Sequence, residues 1–150
     1  MTESAGTSDP LALKLRDAGL KPTQQRLQIA RLLFCGRQRH VTAEMLFDEA
    51  RSESCPPSLS TIYNALRDFA RCGLLREVAL YGSKLWYDTT TGSHFHYYVE
   101  QNETLFDMPA DIEPSLAIAP PLGTRIVGVD VVVRLKPKQA PKLRLVGKDA

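Results

Sequence analysis

The stretch LSTIYNALRDFARCGLLRE, residues 59–77, changes its hydrophobic period partway along. From Ser60 to Arg71 apolar residues recur at helical spacing, and Ile62, Leu66, Phe69 and Ala70 make one stripe. Ser58 or Ser60 offers an N-cap, and Gly73 offers a stop. Beyond Gly73 the period shortens. LLREVAL (74–80) and KLWYD (84–88) read as two short strands around Tyr81-Gly82-Ser83, a hairpin signal. Opposite the helical stripe lie Tyr63, Asn64 and Arg67, with Ser60 and Thr61 at the N-terminal end. Such a set suits the DNA major groove: Asn pairs bidentately with adenine, Arg with guanine, and Thr or Tyr with phosphate oxygens or a thymine methyl. A helix before it and a hairpin after it would complete a helix-turn-helix with a wing. Taken alone, the stretch reads more simply as an ordinary amphipathic helix with a polar outer face, because no strongly basic patch adjoins it.

Upstream, three more helices are expected. Asp9-Pro10 supplies an N-cap and a proline at the first helical position, and Gly19 stops LALKLRDA. Thr23 caps QQRLQIARLLFC, in which Leu27, Ala30, Leu33 and Phe34 share a face and which Gly36 ends. Thr42 caps AEMLFDEARSE, with Leu46 and Ala50 stacked at i,i+4. Pro56-Pro57 imposes an extended connection. Downstream, HFHYYVE and TLFD form a second candidate hairpin across Gln101-Asn102. Residues 109–124 hold four prolines and no helical stripe, so they read as loop with at most a short strand at SLAIA. RIVGVDVVVRL is the strongest strand signal in the chain, rich in β-branched residues.

The 150 residues suffice for one domain or two small ones. A hydrophobic content of 43% with 24% charged residues is that of a soluble globular chain. Apolar runs stay well short of the ~18 residues of a membrane span. The polar start MTESAGTSDP lacks the basic and apolar regions of a signal peptide. The expectation is a cytoplasmic protein with no membrane association. Cys35, Cys55 and Cys72 are too scattered for a disulfide framework or a Cys-x-x-Cys metal knuckle. The net charge of +2 is no argument for nucleic acid. Its distribution is uneven, however: residues 92–124 hold five acids and no base, and 134–148 hold six bases and no acid.

Two of the three histidines fall in SHFHYYVE, residues 93–100. Strand alternation places Phe95, Tyr97 and Val99 toward the core, and His94, His96, Tyr98 and Glu100 on the other face. Read alone, that face is either solvated or a ligand site.

Several motifs in register resemble the ferric uptake regulator (Fur) family. AGLKPTQQR (18–26), HVTAEMLFDEA (40–50) and LSTIYNALRDFARCGLLRE (59–77) match its winged-helix half in order and spacing. The likeness continues through GSKLWYD to the His94-x-His96 strand, covering roughly residues 11–108, with a fainter echo in VGVDVVVRL. TIYNAL, with Asn64 where most of the family has Arg, looks most like the iron response regulator (Irr) branch. The resemblance implies an α+β chain. An N-terminal winged helix-turn-helix domain (residues 1–90) is followed by a small β-rich, reduced α/β dimerisation and effector domain (91–136) and a basic, flexible tail (137–150). It also implies a homodimeric transcriptional regulator of iron or haem metabolism, not an enzyme, that reads a pseudo-palindromic operator in double-stranded DNA. Tyr63 falls at the recognition-helix tyrosine, and Lys21, Thr23 and Arg26 fall in the segment that approaches the DNA backbone.

The same resemblance assigns a regulatory metal site to His40, Asp88, His94, His96 and Asp107, positions that account for all three histidines. Imidazole and carboxylate donors suit Fe(II), Mn(II) or Zn(II). Both acids are Asp where the family commonly has Glu, one methylene longer. In the Irr branch the His-x-His strand is associated with haem, which makes His94 and His96 candidate axial ligands. The family's Cys-x-x-Cys zinc site would begin at Val99 and Asn102, so no cysteine-ligated structural zinc is expected. The dimerisation-domain helix also lacks a candidate between Asp111 and Thr124. Cys55-Pro56 matches a dipeptide found in some haem-responsive proteins but reads more simply as a turn. Two alternatives stand beside the leading reading: an effector-independent winged-helix repressor with a vestigial metal site, and a small metal-dependent enzyme. The enzyme is the weaker, since nothing resembles an activated nucleophile or oxyanion loop.

Overall fold

The computed structural model describes residues 9–80, 84–112 and 117–138. The chain divides into two compact units, residues 1–93 and 94–150. The wing tip Tyr81-Gly82-Ser83, the start of SLAIA, and the basic tail from residue 139 onward lie outside the described residues.

The first unit is built from capped helices. Helix α1 (Pro10–Asp17) starts where Asp9 accepts a hydrogen bond from the Leu11 N–H, and α2 (Gln24–Phe34) starts where Thr23 accepts from the Arg26 N–H. Strand β1 (His40–Val41) leads directly into Thr42, which caps α3 (Ala43–Ala50) by accepting from the Met45 N–H. Ser58, not Ser60, caps α4 (Leu59–Arg71) by accepting from the Thr61 N–H. Each cap satisfies an amide that the first helical turn leaves without a partner. Helix α3 ends three residues before the expected Glu53. There the Ser52 hydroxyl donates to the Glu49 carbonyl at 3.3 Å, satisfying a carbonyl that a further turn of helix would otherwise use. Gly73, at φ +80°, takes the left-handed geometry that turns the chain out of α4.

Strands β2 (Arg76–Val78) and β3 (Trp86–Asp88) form the expected wing hairpin, in register Arg76 to Asp88 and Val78 to Trp86. Strand β1 joins on the far side, pairing His40 with Asp88 and giving an antiparallel sheet of order β1-β3-β2. A two-residue strand has no visible period, which is why β1 went unseen in the sequence. The core of this unit gathers Leu15, Ile29, Leu33, Leu46, Ile62, Leu66, Phe69 and Tyr87 from all four helices and the sheet. Ala65 joins the buried stripe of α4, while Ala70 is only half-buried.

In the second unit, β4 (His96–Val99) pairs antiparallel with β5 (Thr104–Asp107) and parallel with β6 (Val132–Leu135). A parallel pair requires a long crossover, and the described parts of that crossover, 108–112 and 117–131, contain no helix. The expected strand RIVGVDVVVRL shrinks to its last four residues. Its earlier half, 125–131, forms no strand and meets β4 at its very end, where the Val131 carbonyl accepts from the His96 N–H at 3.1 Å; β-propensity without a continued ladder does not make a strand. The faces of β4 are also the reverse of those expected. His96 and Tyr98 are buried, and Tyr97 and Val99 are half-exposed, with Tyr97 against the exposed Phe106 ring at 5.4 Å. Alternation fixes which residues share a face; what covers that face is a tertiary matter. No described helix is long and apolar enough to cross a membrane.

Candidate metal centre and nucleic-acid interface

Each unit carries histidine against aspartate. In the first, the end of β3 places Asp88 opposite His40 of β1, with His40 Nε2 at 3.2 Å from Asp88 Oδ2. Asp88 is 0% exposed, and a buried carboxylate is tolerated only when its oxygens are engaged. Its other oxygen accepts from the Thr90 N–H at 2.8 Å. The pair is buttressed by Arg39, the residue before β1. Arg39 donates twice to Glu49 of α3 and once to the Leu32 carbonyl of α2, while its N–H donates to the Thr89 hydroxyl at 2.9 Å.

In the second unit, the β4–β5 register sets Asp107 opposite His96, and His94 lies two residues before the strand. Asp107 Oδ1 lies 3.1 Å from His94 Nε2 and 3.6 Å from His96 Nε2. The two imidazole centroids are 4.5 Å apart at 64°. His96 is 2% exposed. One ligand atom from each of His94, His96 and Asp107 thus lies within 4.8 Å of the others. Nitrogen and oxygen donors in such a group fit a divalent cation of the Fe(II), Mn(II) or Zn(II) kind. Val99 lies in β4 and Asn102 in the following turn. Cys35 and Cys55 are exposed, Cys72 is half-buried, and all three are free thiols. In the α3–α4 connection the Cys55 carbonyl accepts from the Gln28 side chain of α2.

The residues singled out for DNA sit on α4 and on the segment entering α2. An open groove of about 320 Å³ is lined by Thr23, Arg26, Thr61, Asn64, Ala65 and Asp68, among others. Asn64 and Arg67 are exposed. The Ser60 and Thr61 hydroxyls both contact Ser58 Oγ, at 3.1 and 2.8 Å, and so belong to the cap network of α4. Arg26 is engaged within the protein. It donates to Asp68 at 2.8 Å and to the Lys21 carbonyl at 3.1 Å, tying the start of α2 to α4. Lys21 itself is exposed.

Tyr63 does not simply face outward opposite the stripe. Its ring packs against the core, and its hydroxyl donates a hydrogen bond to the Glu44 carboxylate in the first turn of α3. That bond holds the Glu44 carboxyl below the usual carboxylate range, with Lys84 and the Thr42 hydroxyl adding in the same direction. It also raises the Tyr63 phenol. Glu44, Arg39 and Asp68 were not anticipated. Glu44 is 19 residues from Tyr63, and only the packing of α3 on α4 brings them together.

The fold defines the class: a winged-helix protein carrying a second, β-rich unit. Residues 17–114 match the ferric uptake regulator family, and the chain belongs to that family. It is a family of DNA-binding, metal-binding transcription regulators rather than enzymes. Among characterised relatives, the peroxide-responsive repressor PerR of Staphylococcus aureus is 33% identical over 93 residues, 62% of this chain. The matched stretch spans 62% of that relative's length. The fold is similar to that of the Pseudomonas aeruginosa ferric uptake regulator solved with manganese. That match has a TM-score of 0.65 at 23% identity, covering 87% of this chain and 100% of the other. The Vibrio cholerae ferric uptake regulator is comparably similar, with a TM-score of 0.65 at 19% identity over 84% of this chain and 98% of the other.

Proposed function

We propose that this chain is a homodimeric, cytoplasmic DNA-binding transcriptional regulator whose affinity for a pseudo-palindromic operator responds to a divalent cation. Residues 1–90 serve as the DNA-binding domain and 91–136 as the effector and dimerisation domain. The observation that carries the reading is that every histidine of the chain stands against an aspartate: His40 against Asp88, and His94 and His96 against Asp107. These five residues are the proposed ligand set, and a bound cation would supply charge neutralisation among them. Family membership supports the DNA-binding role, with Lys21, Thr23, Arg26, Ser60, Thr61, Tyr63, Asn64 and Arg67 as the proposed contacts. The repressor activity of the S. aureus relative and the manganese in the P. aeruginosa structure are consistent with it.

The test is a DNA-binding titration of apo, Mn(II)-loaded and haem-loaded protein on duplexes enriched from a random pool, at two stated salt concentrations. Mn(II) is expected to change operator affinity, and His94→Ala/His96→Ala is expected to abolish that change. His40→Ala should weaken Mn(II) binding at least as much as the roughly 10-fold that loss of even a supporting residue costs. An unchanged Mn(II) affinity in His40→Ala would confine the site to the second unit. The finer assignment to the Irr branch rests on Asn64 in TIYNAL. It predicts a haem-dependent change in DNA affinity with a Soret band that the His94→Ala/His96→Ala variant loses. Operator binding indifferent to both effectors would leave the effector-independent repressor as the answer.

A further inference from the structure

Around the Glu44 carboxylate converge the Tyr63 hydroxyl, the start of α3 with its positive dipole end, and the cap residue Thr42. Lys84, on the wing side, is near enough to add its charge. These are the groups with which a protein ordinarily holds a DNA phosphate: a hydroxyl, an ammonium and a helix N-terminus. Here the anion they hold is a side chain of the protein. A tyrosine hydroxyl has one proton to donate, so Tyr63 cannot serve Glu44 and a phosphate oxygen at once.

We propose that Glu44 is an internal competitor for DNA: its carboxylate holds the Tyr63 hydroxyl in the free protein, and DNA binding exchanges that hydrogen bond for one from Tyr63 to a backbone phosphate. Glu44 thereby tunes affinity without contacting the duplex, acting through Tyr63. The inference rests on the reading of α4 as the DNA-contacting helix. It goes beyond that reading by assigning an opposing role to an acid on the neighbouring helix.

The double-mutant cycle of Glu44→Gln and Tyr63→Phe tests it. Full-length protein, with and without Mn(II), is titrated with a duplex enriched from a random pool and with a scrambled duplex of the same composition. Glu44→Gln is expected to tighten binding about three- to tenfold in the wild-type background, the worth of one net hydrogen bond, and to have no effect beside Tyr63→Phe. Equal tightening in both backgrounds would reduce Glu44 to a general repulsive charge and overturn the proposal. Weakening by Glu44→Gln would overturn it too, showing that the carboxylate prepares Tyr63 for DNA. If Tyr63→Phe and Tyr63→Ala both bind DNA like wild type, the α4 reading itself falls. A separate readout does not depend on affinities. The carboxyl ¹³C resonance of Glu44 should move on duplex addition toward its position in Tyr63→Phe; an unmoved resonance in the bound protein would also overturn the exchange.

Discussion

At the scale of single residues, the Tyr63–Glu44 hydrogen bond makes a pH-dependent prediction. The Glu44 carboxyl is held below its ordinary 4.5, chiefly by the Tyr63 hydroxyl. Its contribution to stability is therefore complete above that value and fades as pH falls through the lowered one. The Tyr63 phenol is raised above 10.0 by the same bond. Its contribution is complete below that value and is lost as pH rises through the raised one. Tyr63→Phe should thus cost stability between about pH 5 and 9, and the deficit should shrink at both extremes. Both groups are half-buried and solvent screens the bond, so the deficit should stay under about 1 kcal/mol. Direct titration by NMR should find the Glu44 carboxyl returned toward its ordinary value in the variant. An unchanged Glu44 titration would show that the bond does not persist in solution. Tyr63 itself was legible in the sequence as a candidate, through TIYNAL. Its partner was not, because nothing local relates positions 44 and 63.

At the scale of elements, the capped helices of the first unit carry the fold. The boundaries of α1, α2 and α4 follow from Asp9-Pro10, Thr23, a serine cap and the glycines that end them, readable in the sequence except that only the structure chose Ser58 over Ser60. Ser58→Ala removes the acceptor for the Thr61 N–H and the anchor of the Ser60 and Thr61 hydroxyls, and should cost about 0.5–2 kcal/mol in denaturant unfolding. Leu66 is fully buried in the core, so Leu66→Ala should cost about 2–5 kcal/mol. A loss below 1 kcal/mol there would mean that α4 is not packed as described. In the second unit, element reading was weaker. β-branched composition marked RIVGVDVVVRL as one long strand, whereas only Val132–Leu135 forms a strand, along β4. A helix satisfies its own backbone, while a strand depends on what lies beside it.

At the scale of the whole molecule, the homodimer proposal has its own surface to account for. Leu122 is fully exposed, Val127 is 88% exposed, and Ile118 and Ile126 stand out with them in the β5–β6 crossover. These side chains are the candidates for the apolar surface that the proposed dimer would bury. Leu122→Asp and Val127→Asp should shift the protein toward monomer in analytical ultracentrifugation and weaken binding to a two-half-site operator far more than to a single half-site. A dimer unaffected by both would place the interface elsewhere. Much of this protein was open to reading along the chain: the helix caps, the change of period after Gly73, the α+β division, and the motifs that carry the family resemblance. These are local, set by residues a few positions apart. Only the tertiary structure could decide that β1 exists and sets His40 beside Asp88, that His96 lies on the buried face of β4, that Arg26 is bonded to Asp68, and that Glu44 holds Tyr63. Each of those depends on packing between segments far apart in sequence, where neither period nor propensity carries the information.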